Sequence, residues 1–476
     1  MKRYKICTAV LILAATAVLG GCRENNSVKL DPKNPVTVKI WHYYSGGLQQ
    51  AFENLVDEFN STQGEEQGIV IEPENHGTVN ELADELLDSA NGKAGAEELP
   101  NLFMGYADTV YAIDQLGLVA ELDGYFTQEE LDEYVPEFIE EGKIGDSEKL
   151  KIFPMAKSTE IFMMNKTDWD VFAEETKASL EDLSTVEGVT EVAKQYYEWS
   201  GGKAFFGRDA VANYMLIGAK QLGVEIFNVK NGTATFQVER ETMKKLWDNY
   251  YIPSIYGYFG AYGKFRSDDT KVGDLLAFVG SSSSAGYFPK EVFVNEDESY
   301  PIDAIVLQAP VFEGGEPCAV QQGAGMAVLQ STREQEYAAV QFMKWFTQEE
   351  RNTSFSILSG YLPVKKAALS REKLEEALAN TKEPIVESMQ EALKVAADTC
   401  SEKTLYTNKA FQGGTSARKV LESAMTDKIA SDVALIEEKM AEGVSREEAA
   451  KGFDTEENFD NWMQDLKEKL DETQKE

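Results

Sequence analysis

Few residues in this 476-residue chain have the types and spacing that bond-making chemistry requires. Its only histidines are His42 and His76, and no H-E-x-x-H occurs, which excludes a histidine-rich metal site. The run Gly280–Gly286, GSSSSAG, invites a serine nucleophile, but no serine in it has glycine two residues away on both sides. Lys93, Lys143, Lys203 and Lys264 each follow a glycine, and none precedes Ser or Thr, so no P-loop is present. Among 82 acidic residues no pair stands out as a glycosidase acid and base. What remains is recognition chemistry, concentrated in Lys39–Gly47, KIWHYYSGG. Aromatics favour strands, and Gly-Gly suits a backbone that must turn or approach something closely. In a strand with one buried face only alternate rings are core. At least two of Trp41, His42, Tyr43 and Tyr44 are therefore expected to point elsewhere.

The elements that must hold these rings follow from periodicity. VTVKIWHYY reads as a strand, and Leu48, Phe52, Leu55, Val56 and Phe59 then draw one apolar helical face. GIVIEPEN is a second strand, VNELADELLDSA a second amphipathic helix, LPNLFMGY a third strand and TVYAIDQLG a short helix. This alternation predicts an α/β class with largely parallel sheet. LKIFPMAKSTEIFMMN splits into two apolar runs at Pro154, the pattern of a crossing between lobes. DLLAFVGSSSSAGYF and AVQQGAGMAVLQ supply later strands, and from about Arg371 the chain is almost wholly helical and highly charged.

The start of the chain sets the compartment. Lys2, Arg3 and Lys5 precede the apolar ICTAVLILAATAVLG, which is too short for a lasting membrane span. It ends in Leu19–Cys22, LGGC, which resembles the lipobox of bacterial lipoproteins, with Cys22 as the lipidated residue. RENNSVKLDPKNP then has the composition of a solvated tether. Cleavage before Cys22 leaves 43 Lys and Arg against 82 Asp and Glu, a charge of −39, which repels nucleic acid. Beyond Cys22 the mature chain holds only Cys318 and Cys400, too few for a disulfide framework.

Four segments, in order, resemble an extracellular solute-binding protein of an ABC importer, in the family 1 class that includes maltose- and glycerol-3-phosphate-binding proteins. They are IWHYYSGGLQQAFENLVDEFN, FPMAKSTEIFMMNK, VQQGAGMAV with AAVQFMKWFTQEE, and SGYLPVKKAAL. The resemblance implies the type II periplasmic-binding-protein-like fold, two hinged α/β lobes with a ligand cleft between them. It divides the chain into a leader (1–21), a tether (22–35), an N-terminal lobe (36–153 and 318–370) and a C-terminal lobe (154–317 and 371–476). It implies a monomer without cofactor or catalysis, delivering a carbohydrate to membrane permease subunits. A secreted carbohydrate-active enzyme and a surface scaffold are the alternatives from other classes.

Ligands of open α/β sheets bind beyond the carboxyl ends of the strands, where Trp41 to Gly47 would emerge. Core packing is the better reading for Trp41, and the cleft for Tyr43 and Tyr44. Tyr106 fits core or cleft equally. Ser158 follows the proline crossing, where the family often places a ligand-binding hydroxyl. Ser283 belongs to the small hydroxylated run, which also reads as a flexible turn. Gly323 matches the family's glycine strand, Tyr361 the Gly-Tyr-x-Pro turn, and Asp209 follows FFG. The glycerol-3-phosphate branch resembles the chain most closely, but its Gly-Trp segment has no counterpart in FFGRDAVANY. Its phosphate-binding arginine is expected near Lys409 and Ala410, whereas Arg418 lies several residues further on. A dianion without a placed arginine is poorly held in so acidic a protein. A neutral carbohydrate is therefore the expected ligand, with a polyol phosphate as runner-up.

Overall fold

A computed structural model describes residues 28–145, 149–230 and 232–475, so Cys22 lies outside the described residues. Two four-stranded sheets organise the chain. In the first, β1 (Val36–His42) lies between β2 (Ile69–Asn75) and β3 (Leu102–Gly105), parallel to both. The strand Gly325–Val328 adds antiparallel to β3, pairing Gly325 with Gly105. In the second, Glu160–Asn165 is central, between Ala304–Gln308 and Ala277–Ser281, both antiparallel to it, and Phe206–Arg208 closes the edge in parallel. The expected parallel bias thus holds in the first sheet and fails in the second. Only Phe206–Arg208 and Ala277–Ser281 run parallel there, and the crossing strand Glu160–Asn165 runs against both its neighbours.

Local sequence accounts for the elements. Helix Val79–Ala90 starts on a reciprocal Thr78–Glu81 capping box and buries Leu82 and Leu86. Helix Gly46–Ser61 buries Phe52, Val56 and Phe59, three of the five residues read as its apolar face. In Glu160–Asn165 every residue is buried, and alternate side chains feed different cores. Phe162 and Met164 join one with Trp169 and Phe206, while Ile161 and Met163 join another with Phe278 and Leu393. A third core surrounds the first sheet.

Three chain passages connect the sheets, and they are hydrogen-bonded to one another. Phe153 exchanges both backbone bonds with Met326, at 2.8 and 2.9 Å. Lys157 does so with Leu362, and Ser158 with Gln322. The Lys157 side chain is buried there, donating to the Gly323 carbonyl at 2.7 Å and pairing with Glu141. Ser158 and Gly323 are therefore parts of this junction. Gly323 has φ +99°, and a Cβ on it would sit 2.9 Å from the Ala156 carbonyl, so its glycine serves a close backbone approach.

Two expectations change. The tether reading covers residues to 35, but Leu30 packs on the first core and Asp31–Asn34 form a turn. Gly68, at φ +75°, lets the Asp31 carbonyl come within 2.6 Å of where a Cβ would be. The alternation argument for the ring run also fails, because Trp41, His42 and Tyr44 are all buried. β1 is an inner strand covered on both faces, as parallel sheets are. On one face Trp41 stacks on His76 at 4.0 Å and donates to Glu74 at 2.9 Å. On the other His42 packs edge-on against Phe52, and burial lowers its pKa to about 4.

Candidate functional site: a tyrosine-lined cleft

Tyr361 sits where the chain leaving the carboxyl end of β1 and the turn after Ala277–Ser281 come together. It follows Gly360, the left-handed cap of helix Glu349–Ser359, at φ +75°. A Cβ at 360 would lie 3.1 Å from Ser283 Cα, so only glycine lets this turn reach the serine run. The Tyr361 side chain lies beside that of Tyr43, from the end of β1, and that of Ser283, from the turn after Ala277–Ser281. One phenol thus stands beside residues anchored on both sheets. Burial, before any other cause, raises the pKa of Tyr43 and Tyr361, so both remain neutral donors and acceptors. Ser283 Oγ also lies 3.0 Å from Ser281 Oγ.

Tyr44 contributes differently from its neighbour. Its ring is in the core, 5.3 Å from Phe52 and 5.7 Å from Phe355, and edge-on to Tyr361 at 6.3 Å. It supports Tyr361 from behind, which corrects the reading of Tyr44 as a stacking surface. Tyr106 caps helix Ala107–Asp114 and is 44% exposed, yet desolvation raises its hydroxyl to about 12. A ring both accessible and surrounded lies on a concave wall. Tyr361, Arg418 and Glu141 are the charged or titratable groups facing it.

The sequence reading missed a layer of charge behind these rings. Asp108 faces Arg418 and lies beside the Phe411 backbone, and burial raises its pKa to about 6. Its Oδ1 is buried with no hydrogen-bond partner among the described residues. Arg418 reaches this wall because helix Gly414–Ala441 starts only after the Gly413 cap, which turns its first coils toward Asp108. The distance along the chain was misleading. Arg418 also donates to Asn213, which donates to Glu160 at 2.7 Å, and Arg208 meets Glu160 at 3.3 Å. The available signal was Glu160 and Arg208 each bordering an apolar run, since buried charges are placed only where something pairs them. Asp209 lies further out, accepting from the Arg266 backbone N–H at 2.9 Å beside Gly280. Ser158 lies in the junction, its neighbours Lys157 and Thr159 bonded to Leu362 and Ser282.

The sheets also touch across the cleft mouth. Asp108 lies against Gly414, and Tyr111 against Gly232, where an added Cβ would meet each side chain within 2.5 Å. Away from the cleft, Glu74, His76 and Glu97 bring ligand atoms within 4.8 Å of one another. Trp41 and Glu85 already occupy Glu74 and His76 through hydrogen bonds. A cavity of about 450 Å³ beside Ala120, Gln330 and Glu336 lies at the opposite end of the first sheet.

The profile of the bacterial extracellular solute-binding proteins matches residues 54–383. The chain belongs to this family. It is the substrate-binding component of an ABC system, and it binds a solute without converting it. No curated protein matches it in sequence. Among solved structures it is similar to the cyclic alpha-maltosyl-1,6-maltose binding protein of Arthrobacter globiformis, with 18% identity, 92% of this chain and 99% of that one covered, and a TM-score of 0.67. UgpB from Mycobacterium tuberculosis, in complex with glycerophosphocholine, gives 18% identity, the same coverages and 0.66. The substrate-binding protein Lmo0181 from Listeria monocytogenes, in complex with cycloalternan, gives 14%, the same coverages and 0.64. These likenesses establish the periplasmic-binding-protein-like α/β fold. Among the described residues no helix is long and apolar enough to cross a membrane.

Proposed function

We propose that this solute-binding protein captures a neutral carbohydrate outside the cell, tethered by a lipid on Cys22, and hands it to an ABC permease. The observation that carries this is the Tyr43–Tyr361–Ser283 junction: neutral hydroxyls and ring faces from both sheets converge at one point. Sugars present both complements, apolar C–H faces for rings and hydroxyls for polar groups. The unpartnered Asp108 oxygen supports the reading, because an isolated buried acceptor gains most from a donor such as a sugar hydroxyl. Tyr43, Tyr106, Ser283 and Tyr361 are the proposed contact residues, with Asp209 on the outer C-terminal wall. The division into lobes 36–153 with 318–370 and 154–317 with 371–476 is proposed on the same grounds. Ligand bridging both would favour closure by its differential affinity for the closed state.

One observation favours a second reading. Arg418 faces Tyr106 and Asp108, so a guanidinium does stand at the wall where a polyol phosphate would need one. Against it, Asp108 and Glu141 face the same space, and Glu160 shares the Arg418 charge. Calorimetric titration with mono- and oligosaccharides, sn-glycerol 3-phosphate and glycerophosphocholine separates the readings. Saturable binding confined to saccharides, with a smaller radius of gyration by small-angle scattering, is expected. Binding confined to the phosphates would replace the first reading by the second. For the anchor, Cys22→Ser should release the protein from membranes, since diacylglyceryl supplies two chains and their removal leaves none. Unchanged membrane association would refute it.

A further inference from the structure

The loop Gly260–Phe265 lies where the second sheet's edge strand ends. Gly260 N–H donates to the Phe206 carbonyl at 2.9 Å, so the chain runs out of the sheet beside Arg208 and Asp209. Arg266, just after the loop, reaches back to Asp209, whose carboxylate lies against Gly280 at the head of the serine run. Tyr262 is 62% exposed and Phe265 51%. Tyr287, at 73%, faces Tyr361 on the inner side of the cleft. Together with Tyr106 these are four large, accessible rings in a chain whose other aromatics are mostly buried.

The loop is built independently of its rings. Asp269 accepts from the backbone N–H groups of Tyr262 at 3.2 Å and Gly263 at 2.6 Å. Asp269 is itself paired with buried Arg266 at 2.8 Å, and the Arg266 N–H is held by Asp209. A rigid backbone that holds two aromatic side chains in solvent, at the open end of a binding cleft, keeps apolar ring faces available at low entropic cost. Lys264 covers Phe265 from one side, its Nζ 5.3 Å from the ring centroid.

We propose that Gly260–Phe265 is an outer stacking site, in which Tyr262 and Phe265 take sugar units projecting beyond the Tyr361 junction. It rests on the carbohydrate reading and deepens it: the solute is an oligosaccharide. The test is calorimetric titration of the full-length protein and of the double variant Tyr262→Ala, Phe265→Ala. The probes are glucose-, mannose- and xylose-based saccharides of one to five units, with both phosphates as controls. The wild type should bind one series more tightly as units are added. The double variant should lose about tenfold on the longest member and nothing on the shortest, and Tyr262→Trp should restore tight binding. Because the loop's hydrogen bonds are backbone-made, the melting temperature should not move. Saccharide binding with no length dependence, or with the same dependence in the double variant, overturns the outer site alone. Binding of phosphates only, or of no probe, overturns it together with the carbohydrate reading.

Discussion

The segments Lys39–Tyr44 and Ala261–Phe265 look alike as strings: rings, a lysine and nearby glycines. The first is an inner strand whose rings are mostly buried on two faces, and the second is an edge loop whose rings stand in solvent. The lesson is that ring content marks neither core nor site. Strand position decides, because a strand hydrogen-bonded on both sides with helices above and below has no face left for a ligand. Only Tyr43, at the point where β1 leaves the sheet, escapes this rule, and it does so by reaching Tyr361.

The harshest way to break the comparison is to truncate a ring of the first segment. Trp41→Ala or Tyr44→Ala should cost about 3–5 kcal/mol of stability, read as a fall in the denaturant midpoint. A folded Tyr44→Ala protein of unchanged stability that had lost sugar binding would put Tyr44 back in the cleft. The same truncation at Tyr262 should leave the midpoint in place.

A middle-sized effect separates ring from hydroxyl. Tyr361→Phe keeps the buried ring and removes the group that lies beside Tyr43 and Ser283. Binding should weaken by roughly 1–2 kcal/mol, about tenfold in Kd by titration, with little change in melting temperature. An equal loss in Tyr43→Phe, not increased in the double variant, would show that the two hydroxyls act as one unit.

The smallest effect concerns Asp108, which faces Arg418, Glu141 and the Phe411 backbone. Its pKa, about 6 here against an ordinary 3.8, means that this arrangement binds a proton where an unfolded chain, or one in which Asp108 is solvated, does not. Closure should therefore strengthen as pH falls through 6 towards 4, and apparent affinity with it. Asp108→Asn should flatten that part of the profile. Buried His42 makes the opposite contribution to folding, its share of the stability being lost between pH 6.5 and 4 as the unfolded chain takes up its proton. An unchanged binding profile in Asp108→Asn would mean that Asp108 is not part of the binding surface.

What could be read from the sequence was local. The capping box at Thr78, the apolar face of Gly46–Ser61 and the glycine turn at Gly360 are encoded in adjacent residues, and each forms. Tyr361 and Ser283 were identified by type and by family resemblance, and the structure brings them together. The antiparallel second sheet, the double coverage of β1 and the arrival of Arg418 opposite Asp108 depend on contacts between distant parts of the chain. No spacing encodes them.

Lys157 has a mechanical consequence. Its backbone is bonded to the third passage at Leu362, its ammonium to the second at Gly323, and it belongs to the first itself. Three separate strands that might each flex are thereby pinned on one axle. A twist at any passage must turn the other two or expose a buried charge, so intermediate postures are penalised. The protein should behave as a gate with two stops, and a permease reading its outline would meet either an open or a shut face.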